Sequence, residues 1–183
     1  MVKAYLRKKA NSLLKSIRKL VLTALFMALS CVATMVIQIP SPMQGYVNLG
    51  DCIVLLGGWI LGPWWGMAAG GLGSALADIL LGYAHYAPGT LIIKALMALV
   101  CAWIAASGGS VRRLLSGIVA EIWMVAGYFG YACLLLGKGL AAAASIPGNL
   151  FQGAVGVTAA VLLYALLEKS GSFKLLKKAG LYS

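Results

Sequence analysis

Apolar stretches separated by short polar or glycine- and proline-containing segments account for most of the chain. Their approximate ranges are 20–39, 50–61, 64–82, 90–106, 114–136 and 149–167. Most of them approach the roughly 20 apolar residues that a helix needs to cross a bilayer. The second stretch would rise only about 18 Å, so it must begin in the preceding loop, cross obliquely or end inside protein. The pattern predicts an all-α, integral membrane bundle of six transmembrane helices.

Small residues recur at every fourth position in the third predicted helix, at Gly62, Gly66, Gly70 and Ser74. On a helix this spacing places them on one face, where another helix backbone can approach closely, as is usual in lipid. Asp78 is the next member of the same row. Because a charged residue inside a membrane is costly, Asp78 is a candidate functional residue.

The composition supports a membrane protein of one domain. Of 183 residues, 62% are hydrophobic and 10% are charged, whereas a soluble domain contains about 25% charged residues. The cysteines at 31, 52, 101 and 133 lie in apolar surroundings without C-x-x-C spacing, so they are interpreted as small buried side chains. The net charge of +11 does not indicate nucleic acid, because no stretch alternates basic and aromatic residues.

Basic residues are distributed asymmetrically between the two sides of the predicted bundle. Thirteen of the fifteen lie on the side of the two termini, whereas the opposite loops contain only Lys138, and Lys94 lies inside a span. The positive-inside rule therefore predicts that both termini are cytoplasmic. We divide the chain into a basic amphipathic cytoplasmic segment at 1–19, which would lie along anionic lipid, a six-helix transmembrane domain at 20–168, and a basic cytoplasmic tail at 169–183.

Polar residues converge at one predicted depth. Counting 1.5 Å per helical residue places Asp78 and Lys94 at similar heights near the outer end of neighbouring helices. A polar cluster at one end of a helical bundle, beneath loops, is typical of a small-molecule pocket open to the outside. The other members of this cluster are Asp51, Tyr83, His85, Tyr86, Asn149 and Gln152, with Tyr46 in the loop above.

Several members of this cluster also have ordinary structural interpretations. Asp78 and Lys94 are candidates for a structural ion pair, which does not exclude contact with a ligand, and Asp51 is either a helix cap or a binding residue. His85 is either a solvated loop residue or a functional one. Asn149 is at a position where asparagine commonly caps a helix. Glu121, in the otherwise nonpolar lower half, is interpreted as a buried, protonated acid packed against a neighbouring helix.

Catalytic and cofactor motifs are not apparent. The chain has no G-x-x-x-x-G-K-[ST] loop for ATP hydrolysis. One histidine and four scattered acids argue against a metal site, and nothing marks a serine as the nucleophile of a hydrolase. We therefore predict a binding protein without catalytic residues, metal or cofactor. Two alternatives stay open: a small membrane enzyme using the outer polar cluster, and a stand-alone facilitator.

Several motifs carry a resemblance to a known family. They are Tyr46–Asp51 with the sequence YVNLGD, Gly62-Pro63, Gly70–Ser74 continuing to Asp78, Ala87–Thr90 continuing to Lys94, and the A-x-x-x-A pair Ala24 and Ala28. On these motifs, residues 20–167 resemble the substrate-binding S components of energy-coupling factor (ECF) vitamin transporters. The nearest subgroup is the one assigned to riboflavin, pyridoxine, hydroxymethylpyrimidine or pantothenate.

The resemblance implies a protein that captures a vitamin or related micronutrient at the outer face of a prokaryotic plasma membrane. It implies ATP-driven uptake together with a transmembrane T component and two cytoplasmic ATPases, with Ala24 and Ala28 facing the T component. In the related proteins the ligand lies under the loop after the first helix. The substrate-binding residues that we predict are Tyr46, Asp78, Tyr83, His85, Tyr86, Lys94, Asn149 and Gln152.

Overall fold

The structure, a computed structural model, describes residues 2–41 and 45–179, and this part of the chain is almost entirely helical. Its α-helices are α1 (Val2–Val36), α2 (Gly50–Leu61), α3 (Pro63–Leu80), α4 (Ala87–Ala105), α5 (Ser110–Gly130), α6 (Ile146–Lys169) and α7 (Ser172–Lys178). The predicted all-α membrane architecture is confirmed. Within the described residues, four helical stretches are long and apolar enough to cross a membrane: Lys9–Val36, Ala87–Ala105, Ser110–Leu135 and Gly139–Lys169.

The segments between the helices contain structure that the hydrophobic pattern does not predict. The segment after α1 was predicted to be a loop, but it forms a short antiparallel hairpin of β1 (Ile39–Ser41) and β2 (Gly45–Val47). Residues 42–44 of that predicted loop fall outside the described residues. A π-helical turn at Tyr131–Leu135 and a 3-10 helix at Gly139–Ser145 connect α5 to α6.

The short helix α2 occupies the centre of the bundle. It packs against α1, α3, α4, α5 and α6, and every residue of it except Ile53 is buried. A helix that is apolar on all sides is typical of such a position. Of the three alternatives for this short helix, the one in which it ends inside protein agrees with its burial, since its last residue, Leu61, is buried. Gly62 ends it with a φ of 81°, a conformation that glycine adopts without strain, and Pro63 then begins α3.

The glycines of α3 allow close contact with three helices. A Cβ atom added to Gly66 would lie 2.8 Å from the Cα atom of Gly58 on α2. Added to Gly71 it would lie 2.9 Å from the carbonyl oxygen of Leu91 on α4, and added to Gly73 it would lie 2.4 Å from that of Met27 on α1. The predicted small-residue face thus packs against α2, and further glycines extend the same kind of contact to α1 and α4.

The long helix α1 continues without a break across the predicted domain boundary between residues 19 and 20. Its inner face buries Thr23, Phe26 and Ser30 against the bundle. Ala24 and Ala28 lie on its exposed surface. These two alanines are therefore accessible on the surface of the bundle, and their role as a partner surface stays a prediction.

We call one end of the bundle the hairpin end, because the β hairpin lies there together with the first turns of α2, α4 and α6 and the last turn of α3. We call the other end the terminal end, because it contains the beginning of α1 and the helix α7. The predicted site residues lie at the hairpin end.

Candidate functional site

A buried ion pair joins α2 to α4 at the hairpin end. Lys94 donates through Nζ to Asp51 Oδ1, and the two side chains are 2% and 0% exposed. Gln152 on α6 donates through Nε2 to Asp51 Oδ2 at 2.7 Å. Each Asp51 oxygen therefore has a donor, as a buried carboxylate requires. We call Asp51, Lys94 and Gln152 the central network, because it links three helices.

Two structural interpretations made from the sequence are wrong. Lys94 forms its ion pair with Asp51 and not with Asp78. Asp51 does not cap α2; the side chain of Asn48 accepts a hydrogen bond from the backbone N–H of Gly50 at 2.8 Å. The physical reason is that α2 begins inside the bundle, which places Asp51 at the level of Lys94. Counting residues along separate helices predicts this shared level, but it does not show which of the two acids faces Lys94.

The β hairpin is held over the central network from two sides. The backbone N–H of Asn48 donates to Gln152 Oε1 at 2.8 Å. On the other side, the Tyr46 hydroxyl donates to Asp78 Oδ1 at 2.6 Å. Burial raises the pKa of the Tyr46 phenol well above its usual range, and the adjacent Asp78 carboxylate raises it further. Tyr46 therefore stays a neutral hydrogen-bond donor throughout the physiological pH range.

Aromatic rings extend from the hairpin along the loop between α3 and α4. Ring centroids are 4.8 Å apart for Tyr46 and Tyr83, 6.3 Å for Tyr83 and His85, 4.8 Å for His85 and Tyr86, and 6.1 Å for Tyr86 and Tyr131. The Tyr131 hydroxyl fixes the loop by donating to the His85 carbonyl at 2.8 Å. Tyr86 is buried, whereas His85 is exposed. Such a row of rings can cover a flat ligand.

The helix α6 presents both of its predicted site residues on one side. Asn149 and Gln152 are three positions apart, which places them on the same helix face, and they are 9% and 2% exposed. The predicted residues therefore gather at the hairpin end: Tyr46, Asp78, Lys94 and Gln152 belong to the hydrogen-bonded structure, and Tyr83, His85 and Tyr86 belong to the row of rings. Their contact with a ligand stays a prediction.

Tyr128 on α5 also belongs to this region, although the sequence reasoning missed it. Its hydroxyl donates to Thr90 Oγ1 at 3.0 Å, and Lys94 Nζ lies 5.5 Å from the centroid of its ring. A polar aromatic residue within an apolar helix was a signal that could have found it. Glu121, predicted to lie apart from the polar cluster, in fact lies beside Asp51.

The described part of the chain has no group of three or more His, Cys, Asp or Glu side chains arranged to hold a metal ion. The chemistry available at the hairpin end is hydrogen bonding and ring contact. Lysine has three donors and a glutamine side chain offers two donors and two acceptor positions. Among the residues that the structure describes, Lys94 and Gln152 therefore make fewer hydrogen bonds than their side chains allow.

Comparison with known proteins identifies the family. Residues 14–169 match the family model described as ECF-type riboflavin transporter, S component. The chain is also similar to a Pyrococcus woesei protein described as an uncharacterized protein in gap 3'region, with 37% identity over 140 residues that cover 75% of this chain and 93% of that protein. The family match confirms the resemblance carried by the sequence motifs. The chain therefore belongs to the ECF-type riboflavin transporter S component family, and it is a membrane-embedded substrate-specificity subunit of a transporter rather than an enzyme.

Proposed function

We propose that this S component captures a vitamin-like molecule at the outer face of a prokaryotic plasma membrane and imports it in complex with a T component and two ATPases. The observation that carries the proposal is the buried Asp51–Lys94–Gln152 network beneath the hairpin. Charged and amide groups that are held in place and shielded from water give strong, directional bonds to a ligand. The hairpin, held by Asn48 and Tyr46, is positioned to cover such a ligand.

We further propose that the ligand is a flat heteroaromatic molecule with amide-like polar groups. The family description names riboflavin, which makes riboflavin the first compound to test. The row of tyrosine rings supports a flat ligand, because aromatic faces pack closely on planar rings. Asn149, Gln152 and Lys94 support a ligand with both donors and acceptors along its edge. Mass spectrometry of the small molecule that co-purifies with the protein would identify the substrate.

Alanine variants of α6 test the location of the pocket. We expect Asn149→Ala and Gln152→Ala each to weaken binding of the co-purified ligand by about 1–3 kcal/mol, roughly 5- to 150-fold, because a buried bonding partner is lost. Gln152→Ala should also lower the melting temperature, since it breaks the bonds to Asp51 and Asn48. Affinity and melting temperature are measured on the same samples.

Thr158→Ala is the matched control, because Thr158 is exposed on the same helix and its hydroxyl bonds only to the carbonyl of Ala154 among the described residues. It should bind and melt like the parent. If Asn149→Ala and Gln152→Ala both melt normally and bind as well as the parent, the pocket does not lie at this end of α6.

We propose that the bundle spans the membrane six times, with both termini in the cytoplasm. The concentration of basic residues at the terminal end supports this orientation. In a variant without the native cysteines, a membrane-impermeant thiol reagent added outside cells should label Leu140→Cys and not Lys174→Cys. Both side chains are exposed, and Leu140 lies close to Lys138 on the connection between α5 and α6. The reverse pattern would overturn the orientation.

A further inference from the structure

Glu121 is a buried acid without an ordinary partner. It lies in the middle of α5 and is 5% exposed. Neither of its carboxylate oxygens has a hydrogen-bond partner among the residues that the structure describes. On its outer side the acid borders a groove between α5 and α6 that is lined mainly by apolar side chains, including Ile118, Ile122 and Val157. Burying an ionised carboxylate without a partner in apolar surroundings has a large free-energy cost.

The space for Glu121 is made by two glycines of α6. A Cβ atom on Gly153 would lie 3.2 Å from Glu121 Oε2. A Cβ atom on Gly156 would lie 2.9 Å from Glu121 Oε1 and also 2.9 Å from Asp51 Cβ, so the two acids meet at this point. A hydrogen bond between these two side chains needs a proton on one of them. Two ionised carboxylates cannot share one, because neither has a donor.

The charges around Glu121 indicate which acid holds a proton. Among the described residues, the titratable groups that face it are Asp51 and Cys52 on α2 and Lys94 and Cys101 on α4. One cation faces two acids, so the group is neutral when one of the acids is protonated. Asp51 already accepts from Lys94 and Gln152, and those bonds favour its ionised form. The proton therefore belongs on Glu121.

We propose that Glu121 is a protonated positioning residue of the ligand site, whose carboxylic acid donates a hydrogen bond to Asp51 and orients it toward Lys94 and Gln152. The consequence for ligand binding rests on the proposed function. Through Gln152 and the backbone of Asn48, the orientation of Asp51 determines the position of the hairpin. Loss of the proton places a second negative charge beside Asp51 and weakens this connection. Ligand affinity is therefore high while Glu121 is protonated. It falls when a rising pH removes that proton.

Infrared spectroscopy tests the proton directly, without any ligand. The chain contains two glutamates, Glu121 and the exposed Glu168. With ¹³C-labelled glutamate, we expect a carboxylic acid C=O band at neutral pH that shifts with the label. This band should be lost in Glu121→Gln and kept in the matched control Glu168→Gln. A wild-type spectrum without a label-sensitive band at neutral pH overturns the proposal. This measurement needs only the wild-type protein, so it does not depend on whether a variant folds.

The pH dependence of affinity tests the positioning role. For the co-purified ligand, we expect wild-type affinity to fall at alkaline pH, approaching about tenfold per pH unit for the loss of one proton. Glu121→Gln, whose amide keeps a donor toward Asp51, should bind like the wild type at neutral pH and lose little affinity at alkaline pH. Identical pH profiles for the two proteins would overturn the positioning role. If no ligand binds at all, the proposed function fails, while the infrared result still decides the protonation of Glu121.

Discussion

Replacing Ala24 or Ala28 with tryptophan is expected to abolish ligand uptake by cells while leaving ligand binding by the purified protein intact. Both alanines are exposed on α1, whereas Thr23, Phe26 and Ser30 of the same helix are buried in the bundle. A face of small residues lets another helix approach to backbone contact, and a bulky ring would hold the two helices apart. The measurement compares uptake of labelled ligand by cells that contain the partner subunits with affinity in detergent.

Leu29→Trp is the matched control for this surface. Leu29 is 42% exposed on a different side of α1, and its side chain is already large. The variant should therefore transport normally. If uptake survives in the double variant of Ala24 and Ala28, this face does not couple the protein to a T component.

Replacing Lys94 with methionine is expected to lower the free energy of unfolding by about 3–5 kcal/mol, because it leaves Asp51 as a buried charge without its cation. The loss should appear as a marked drop in melting temperature. Cys31, Cys52 and Cys101 are buried, so their reaction with a thiol-reactive dye on heating reports unfolding.

A second substitution separates the lost charge pair from the lost volume. In Lys94→Met combined with Asp51→Asn no uncompensated charge remains in the pair, and the double variant should recover part of the stability. Lys169→Met, at an exposed position in the last turn of α6, should melt like the parent. If Lys94→Met is as stable as the parent, the ion pair does not stabilise the bundle.

Part of the candidate site could be predicted from the sequence, because few polar residues lie within the apolar helices. Asp78, Lys94, Asn149 and Gln152 stood out for this reason, and the structure places all four at the hairpin end. The hydrogen-bond partners of these residues could not be predicted from the sequence. Lys94 bonds to a residue 43 positions away, and Gln152 bonds to one 101 positions away. Both partners meet at Asp51, whose helix was too short to be placed by length alone.

The β hairpin and its hydrogen bonds to the bundle also could not be predicted from the sequence. A loop was predicted between the first and second apolar stretches, and the structure instead pairs Pro40 with Tyr46 across two short strands there. Tyr46 was predicted as a loop residue above the ligand, but its bond to Asp78 depends on where α3 ends in space. Glu121 was correctly interpreted as a buried acid from its surroundings in the sequence. Its contact with Asp51 depends on two glycines of α6 that lie opposite α5.

The sequence by itself determined the membrane character of the chain, the approximate extents of its helices apart from the first half of α1, the charged side of the bundle and the family. These properties follow from hydrophobic burial and charge, which act on each segment separately. Only the tertiary structure decided that α2 lies at the centre, that Asp51 receives both Lys94 and Gln152, and that Glu121 lies beside it. Those contacts depend on the relative depth and rotation of helices, which are set by close packing at residues such as Gly66, Gly71 and Gly156, and no single segment contains that information.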